Sequence, residues 1–205
     1  MQQDQFLTKY FTIFAKPKLY STLLYLFLAF PLGLTYFITL TIGISLGLGL
    51  LVIWIGLFIL ALLFPLIWLF INFERVQTIH LLGIDIQTSQ AKQTEKPGLW
   101  EKFKAYLQDS STWKGLFFVL LKFPIGLFSI TILVTGLVLL FTMIFSPLIV
   151  PWTSINFGFW RVDTFSEAIG LCILGIMLLP GLFHFYYYVG QAIGKFSALL
   201  LNSKA

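Results

Sequence analysis

Few side chains in this sequence could do chemistry, and the most conspicuous of them are set in long apolar runs. Lys122 lies in one such run. His184 lies in another and is followed by Tyr186, Tyr187 and Tyr188. Because polar groups at membrane depth are costly, Lys122, His184 and Tyr187 are candidates to bind a ligand or line a cavity. The plainer interpretation, which we favour, is that Lys122 snorkels to the inner interface and the His184 segment hydrogen-bonds between helices. A buried ion pair is the other alternative for Lys122.

No set of these groups has the spacing of a catalytic or metal centre. His80 and His184 are predicted to lie in different layers, and a single cysteine, Cys172, excludes an intramolecular disulfide. The sequence contains no carboxylate, histidine or cysteine pair with metal-ligand spacing, no phosphate-binding glycine loop and no Gly-x-Ser-x-Gly elbow. The sequence therefore predicts no catalytic residues, no metal and no cofactor.

The elements that must position these side chains are predicted to be membrane-spanning helices. Charged residues make up 10% of the 205 and apolar residues 59%, which is not the balance of a water-soluble surface. Residues 23–73 include no charged side chain, and a single helix of that length would extend roughly 75 Å. Since the hydrocarbon core is roughly 30 Å thick, the segment must cross twice. The glycine-rich residues 41–49 are the predicted break.

Two further apolar runs, residues 115–151 and 168–194, predict a third and a fourth span. The expected fold is therefore an all-α integral membrane protein with four transmembrane helices. Short interfacial amphipathic helices are expected in the linker between the second and third spans.

The distribution of basic residues predicts the orientation. They precede the first span, fill the middle linker and follow the fourth span, whereas only Arg161 lies on the opposite side, so both termini should be cytoplasmic. The net charge of +5 reflects this asymmetry and not nucleic-acid binding. The predicted organisation is a cytoplasmic N-terminal segment (1–19), a first hairpin (20–73), a cytoplasmic amphipathic linker (74–112), a second hairpin (113–201) with an outer loop (146–167), and a C-terminal tail (202–205).

The two hairpins resemble each other. Residues 20–34 align without gaps on residues 113–127, and both segments contain Phe-Pro-x-Gly-Leu. The alignment predicts a tandem duplication in which both hairpins share one orientation, which argues against an inverted-repeat transporter core. Each span also carries an interior proline that removes a backbone hydrogen bond. These prolines either shape the bundle or act as hinges: Pro31, Pro65, Pro124 and Pro180.

Two segments outside the spans are candidate contact surfaces. Residues 74–86 read as an amphipathic extension of the second span, and residues 99–107 as a short helix lying on the headgroups or docking a cytoplasmic partner. The candidate partner or interfacial residues are Glu74, Arg75, Trp100, Phe103 and Lys104, of which the first two are expected to cap and anchor the second span.

The outer loop holds the remaining candidates, Trp152, Trp160 and Arg161. Tryptophan is common where a protein crosses the membrane–water boundary, so anchoring is the default interpretation. If the protein senses something outside the membrane or in the outer leaflet, contact would be made here.

Several segments together resemble the putative sensor domain family, a four-span module found at the N-terminus of many bacterial histidine kinases and sometimes alone. The matching segments are Phe30-Pro31-Leu32-Gly33, Glu74-Arg75 with Leu81-Leu82-Gly83-Ile84, Leu107-Gln108-Asp109-Ser110-Ser111-Thr112-Trp113-Lys114, and Phe123-Pro124-Ile125-Gly126. The family typically shows Asp-Pro-x-Thr-Trp-Arg in the third segment, where this chain has Ser110 and Lys114. The resemblance covers residues 18–201 and implies signal input rather than catalysis.

The expected function is that of a non-catalytic membrane sensor or accessory subunit in the bacterial plasma membrane. It would respond to a lipid, an amphiphile or the membrane state and signal through a cytoplasmic or membrane protein partner, because no kinase region follows residue 201. The alternatives are a structural or assembly subunit, a small transporter or lipid-binding protein, and an intramembrane enzyme. A homo-oligomer is left open.

Overall fold

A computed structural model describes residue 10 and residues 12–86, 110–158 and 160–201. Four of its helices are long and apolar enough to cross a membrane, so the chain is a multi-pass membrane protein and the predicted all-α fold is confirmed. They are α1 (Pro17–Gly49), α2 (Ile55–Gln77), α3 (Ser110–Ile144) and α4 (Phe165–Leu201). A 3-10 turn, Thr12–Ala15, precedes α1.

The break between α1 and α2 falls later than predicted. α1 continues to Gly49, and the chain turns through a 3-10 segment, Leu51–Ile53, to Trp54 in the left-handed region at φ 62°. The glycines at 43 and 47 remain helical because they pack against α2: a Cβ at Gly43 or Gly47 would collide with a leucine side chain of that helix. Close packing of small residues in membranes thus outweighs the low helix propensity of glycine.

α2 does not end where its polar residues begin. It passes through Glu74 and continues as a π-helical turn, Thr78–Leu82, before Gly83 ends it in the left-handed region. The predicted helical extension is present. Its polar side chains at 74, 77 and 78 are buried, whereas Val76 and Ile79 are exposed, so the polar face points into the protein.

The segment between α3 and α4 contains a small hairpin. After one helical turn, Ser146–Ile149, strand β1 (Ile155–Asn156) pairs antiparallel with β2 (Arg161–Val162). Thr164 and Glu167 then form a reciprocal cap at the start of α4. The Glu167 carboxylate accepts the Thr164 backbone N–H, and the Thr164 hydroxyl accepts the Glu167 backbone N–H. The sequence reasoning did not foresee the strands.

The chain divides into two compact units, Met1–Tyr20 with Thr131–Val189, and Ser21–Ile130 with Gly190–Ala205. The first unit has a small core of Ile155, Val162, Ala168 and Leu171. The second has a larger one, formed by Tyr36, Leu40, Ile67, Ile71, Ile86, Phe118, Val119 and Leu201.

In the second unit, α1 and α3 cross at their matching Phe-Pro-x-Gly segments. A Cβ added to Gly33 would lie 2.5 Å from the Lys122 carbonyl oxygen, and one added to Gly126 would collide with the Ala29 carbonyl. The contact is reciprocal, because Ala29 and Lys122 occupy the same place in the two aligned segments. The duplication itself stays a prediction, but the glycines bring the two backbones into direct contact.

Candidate functional site

Lys122 and Glu74 form a buried ion pair in the second unit. Lys122 Nζ lies 2.6 Å from Glu74 Oε2, and both side chains are 0% exposed. The snorkelling interpretation of Lys122 is therefore wrong. The lysine finds an opposite charge on α2, and pairing inside the bundle replaces the contact with water that snorkelling would give.

The ion pair extends into a network with one residue from each long helix. Lys122 Nζ also donates to the Tyr25 hydroxyl on α1 at 3.3 Å, and that hydroxyl lies 3.3 Å from Ser197 Oγ on α4. The ammonium is 4.7 Å from the centroid of the Tyr25 ring, within cation–π range. Glu74, Lys122, Tyr25 and Ser197 thus connect α1, α2, α3 and α4 through charge-assisted and hydroxyl hydrogen bonds. We call them the four-helix network.

The crossing of α1 and α3 positions this network. Lys122 directly precedes Phe123 and Pro124, and its own carbonyl is the atom on which Gly33 packs. The equivalent place on α1 is taken by Ala29, which is buried. The two aligned segments therefore meet backbone to backbone, and of the two crossing helices α3 contributes the charge, Lys122, that pairs with Glu74 of α2.

Further polar atoms near the network have no hydrogen-bond partner among the described residues. They are the Tyr36 hydroxyl, Glu74 Oε1, Arg75 Nε, both amide atoms of Gln77 and Thr78 Oγ1. Glu74, Gln77 and Thr78 share one helical face, at the spacing i, i+3 and i+4. Buried polar groups in folded proteins are nearly always paired with protein atoms or ordered water, so these atoms need partners beyond those that the described residues supply.

A family model described as "Putative sensor" matches residues 25–201. The chain belongs to this family. No curated protein and no solved structure matches the chain. The matched range includes every residue of the four-helix network, so the network lies within the sensor module. Membership supports a sensor role in a membrane.

The surroundings of His184, in the first unit, are different from those of Lys122. His184 Nδ1 lies 2.9 Å from the Pro180 carbonyl of its own helix, and its ring stacks on Tyr10 at 5.8 Å between centroids. The Tyr186 hydroxyl donates to the Leu133 carbonyl on α3 at 2.9 Å. Tyr187 is half-buried and contacts Tyr188 edge to face. In this sensor-family chain the segment makes local and helix-to-helix hydrogen bonds.

The outer-loop candidates, also in the first unit, lie largely at the surface. Trp152 is 89% exposed, and Trp160 is 40% exposed. Arg161 forms an exposed ion pair with Asp163 at 3.0 Å. Exposed pairs of this kind contribute little to stability. The exposed tryptophans are compatible with the anchoring expected of them and with contact to a ligand.

The structure treats the remaining predicted site residues differently from one another. Glu74 was predicted as part of a contact surface, which is wrong because its side chain is fully buried in the ion pair. Arg75 is half-buried and donates from Nη2 to the Leu201 carbonyl at 3.0 Å. This hydrogen bond links the end of α2 to the end of α4. Trp100, Phe103, Lys104 and the predicted helix 99–107 lie outside the described residues. The four prolines are all inside helices.

Sequence reasoning missed most of the network. Tyr25 lies within the aligned residues 20–34 but was not singled out, and neither were Ser197, Tyr36, Gln77 and Thr78. A usable signal existed: a lysine placed in an apolar span needs a nearby acid, and Glu74 follows directly on the charge-free run. Within the described ranges no three His, Cys, Asp or Glu residues come together as metal ligands.

Proposed function

We propose that this chain is a non-catalytic membrane sensor that responds to a lipid, an amphiphile or the membrane state and passes the response to a partner protein. The observation that carries the proposal is the four-helix network. Membership in the sensor family supports signal input, and the network supplies an element on which an input could act.

The physical requirement for such a sensor is an element with two arrangements whose balance an input can bias. The fully buried ion pair supplies one of these arrangements, the closed one. Its bonds are strong while the helices keep their spacing, but separating the charges leaves each without a partner in a low-dielectric interior. An intermediate spacing is therefore unfavourable, and the bundle should hold the pair closed or break it.

The network also offers a route between helices. Tyr25, Lys122, Glu74 and Ser197 are linked by direct hydrogen bonds, so a shift of any one long helix alters contacts of the others. This is a structural argument for coupling; evidence of energetic coupling requires mutants. The nearby Pro31 and Pro124 are candidate hinges for such a shift.

The non-catalytic assignment rests on the chemistry of the network. Lys122 and Glu74 are bonded to each other and fully buried, an arrangement that stabilises structure and does not present a base or nucleophile to a substrate. The output then depends on a partner. We place the protein in the bacterial plasma membrane with its termini in the cytoplasm, and Trp100, Phe103 and Lys104 remain the candidate partner surface.

The test is a comparison of partner recovery with and without a membrane perturbation. Tagged full-length protein is cross-linked in membranes of the source cells, before and after benzyl alcohol is added to loosen lipid packing, and bound proteins are quantified. We expect one stoichiometric partner whose recovery changes with the perturbation in the wild type. The change should be abolished in Glu74→Gln, which removes one charge of the pair while keeping its shape.

His184→Gln is the matched control, because it also alters a polar side chain in a span but lies outside the network. Its response should equal that of the wild type. Partner recovery that is independent of the perturbation in all three proteins would instead indicate a structural or assembly subunit. The absence of any stoichiometric partner would overturn the proposed signalling.

A further inference from the structure

The turn that joins α1 and α2 has no polar side chain, and most of its side chains are exposed. Residues 50–55 are Leu, Leu, Val, Ile, Trp and Ile, and Val52 is 88% exposed and Trp54 76% exposed. The segment between α3 and α4 differs, since it carries the exposed ion pair of Arg161 and Asp163. Exposed apolar side chains are favourable in lipid and unfavourable in water. We call residues 50–55 the apolar turn.

The backbone of the apolar turn is also suited to an apolar environment. Unpaired N–H and C=O groups are costly in hydrocarbon, so irregular backbone rarely faces lipid. Here the Ile53 and Gly56 N–H groups both donate to the Leu50 carbonyl. The Trp54 N–H donates to the Leu51 carbonyl. These groups find their partners within the turn and do not require water.

The apolar surface that leads to the turn is longer than the hydrocarbon core of a bilayer. On α1 the exposed apolar side chains extend from Leu24 to Leu48, and on α2 they extend from Ile55 to Val76. At ~1.5 Å per residue these stretches are roughly 36 Å and roughly 32 Å long. The hydrocarbon core is roughly 30 Å thick. Both helices of the first hairpin therefore exceed the core before the turn itself is counted.

A membrane helix that is longer than the core tilts or thickens the bilayer around it. A polar turn could project into water and leave the helices upright, but an upright hairpin with this turn would expose Val52 and Trp54 to water. Tilting keeps the turn in lipid. For a stretch of roughly 36 Å in a core of roughly 30 Å the tilt is about 35°, within the range of about 0–40° found for membrane helices. The tilt of the hairpin therefore depends on bilayer thickness.

We propose that the apolar turn is inserted in the leaflet opposite the end of α1 that carries Lys18, so that the first hairpin responds to the hydrocarbon thickness of the bilayer. This inference rests on the proposed sensor function and names the membrane state that is sensed. The partner of the turn is the acyl chains of the lipids. Its exposed side chains continue the apolar surfaces of α1 and α2, with no polar residue between Leu48 and Leu57.

The four-helix network lies where a change of hairpin tilt alters contacts between helices. α1 is held against α3 where Gly33 meets the Lys122 carbonyl. A rotation of the hairpin about this crossing moves α2 relative to α3. Lys122 Nζ and Glu74 Oε2, 2.6 Å apart, join those two helices. A thinner bilayer, which increases the tilt, therefore favours the arrangement in which this ion pair is broken.

The first measurement locates the turn in the bilayer. A nitroxide label is attached to Val52→Cys in the full-length protein, with the native thiol removed by Cys172→Ala, in liposomes of dioleoyl phosphatidylcholine. Power-saturation EPR compares collisions of the label with oxygen, which is enriched in lipid, and with a nickel chelate, which is enriched in water. We expect oxygen to dominate at Val52.

Ser166→Cys is the matched control, because Ser166 is exposed in the first turn of α4 and lies beside Glu167. We expect the nickel chelate to dominate at this position. Dominance of the nickel chelate at Val52 as well would overturn the insertion of the turn.

The second measurement tests the response to thickness. Labels at Phe73→Cys on α2 and Phe117→Cys on α3, both exposed positions, report the distance between these helices by pulsed EPR. The protein is reconstituted in dimyristoleoyl, dioleoyl and dierucoyl phosphatidylcholine, which share a headgroup and increase in chain length. We expect a second, longer distance in the shortest lipid, with a shift of about 2 Å as in other helix movements. One unchanged distance in all three lipids would overturn the response to thickness.

Val52→Lys and Ser166→Lys are a matched pair of variants for the distance measurement, since each adds one positive charge at an exposed position. A lysine at the turn is drawn to headgroups and water, so the hairpin stays more upright and the longer distance should be lost. Ser166→Lys should respond as the wild type does. Equal responses of Val52→Lys and wild type would overturn the role of the turn.

These measurements contain no partner protein, so they are independent of the partner-recovery test. A hairpin that ignores thickness, in a protein whose partner recovery still depends on Glu74, would overturn this inference and leave the sensor function intact. A hairpin that responds to thickness in a protein that recovers no partner would support this inference and overturn the proposed signalling.

Discussion

Lys122 and His184 are the two polar residues that stand out in the spans, and their surroundings differ in kind. Lys122 is fully buried and bonded to side chains of two other helices. His184 is half-buried, bonds to a carbonyl of its own helix and stacks on Tyr10. One side chain joins helices, and the other is satisfied mainly within its own helix.

The difference shows that depth in a span does not decide the role of a polar residue. What decides it is where the partner atom lies. A partner one turn away costs the fold nothing to arrange, whereas a partner on another helix makes the side chain part of the helix packing. The predictions below therefore compare disruption near Lys122 with disruption near His184.

The largest effect is expected from removing one charge of the ion pair. Lys122→Leu leaves the Glu74 carboxylate buried without its cation and should destabilise the protein by about 3–5 kcal/mol. The double variant Lys122→Leu with Glu74→Leu should recover most of that loss, because no uncompensated charge remains. Equilibrium unfolding in mixed micelles measures both. A double variant no more stable than the single one would contradict a paired role for these charges.

A smaller effect is expected from filling the helix crossing. Gly126→Ala places a methyl group against the Ala29 carbonyl, a backbone atom that cannot rotate away, and should cost about 1–3 kcal/mol. Gly33→Ala should cost a similar amount, since the contact is reciprocal. In the His184 region, Gly181→Ala meets only the hydroxyl end of the Tyr10 side chain at 2.8 Å and should cost less than about 1 kcal/mol. Similar losses for Gly126→Ala and Gly181→Ala would show that the crossing is not tightly packed.

The smallest effect is expected from His184→Phe. The ring that stacks on Tyr10 is retained, and only the bond to the Pro180 carbonyl is lost, so the free energy of unfolding should change by about 0.5 kcal/mol or less. The same micelle assay measures it beside Lys122→Leu. A loss comparable to that of Lys122→Leu would remove the contrast between the two sites and indicate a structural or binding role for His184.

Much of the fold could be predicted because it follows from the local amino-acid composition along the sequence. The charge-free residues 23–73 require two spans, and the apolar runs after them require two more. The fourth span was predicted from residue 168, whereas α4 starts at Phe165, which the capping-box spacing of Thr164 and Glu167 would have indicated. The turn between α1 and α2 was misplaced because glycine was interpreted by its propensity in water. Gly43 and Gly47 instead lie in helix–helix contacts, which a single span does not reveal.

The candidate site was only half visible. Lys122 and Glu74 were both singled out, Lys122 chiefly as a snorkelling side chain with a buried ion pair as an alternative, and Glu74 as a capping or contact residue. Each interpretation considered a single segment and the nearest water. Glu74 and Arg75 were taken to cap the second span, whereas the helix turns the polar face of residues 74, 77 and 78 inward, where Lys122 of α3 pairs with Glu74.

The sequence by itself determined that this protein lies in a membrane as four apolar helices, because burying long uncharged segments away from water is decided by local composition. It also showed that Lys122, a charged residue in an apolar span, requires a partner or access to water. Only the tertiary structure decided that the explanation is Glu74, 48 residues away, with Tyr25 and Ser197 completing the network. That pairing depends on which helix faces meet, and those faces are selected by the close approach of backbones at Gly33 and Gly126, a property of two helices together.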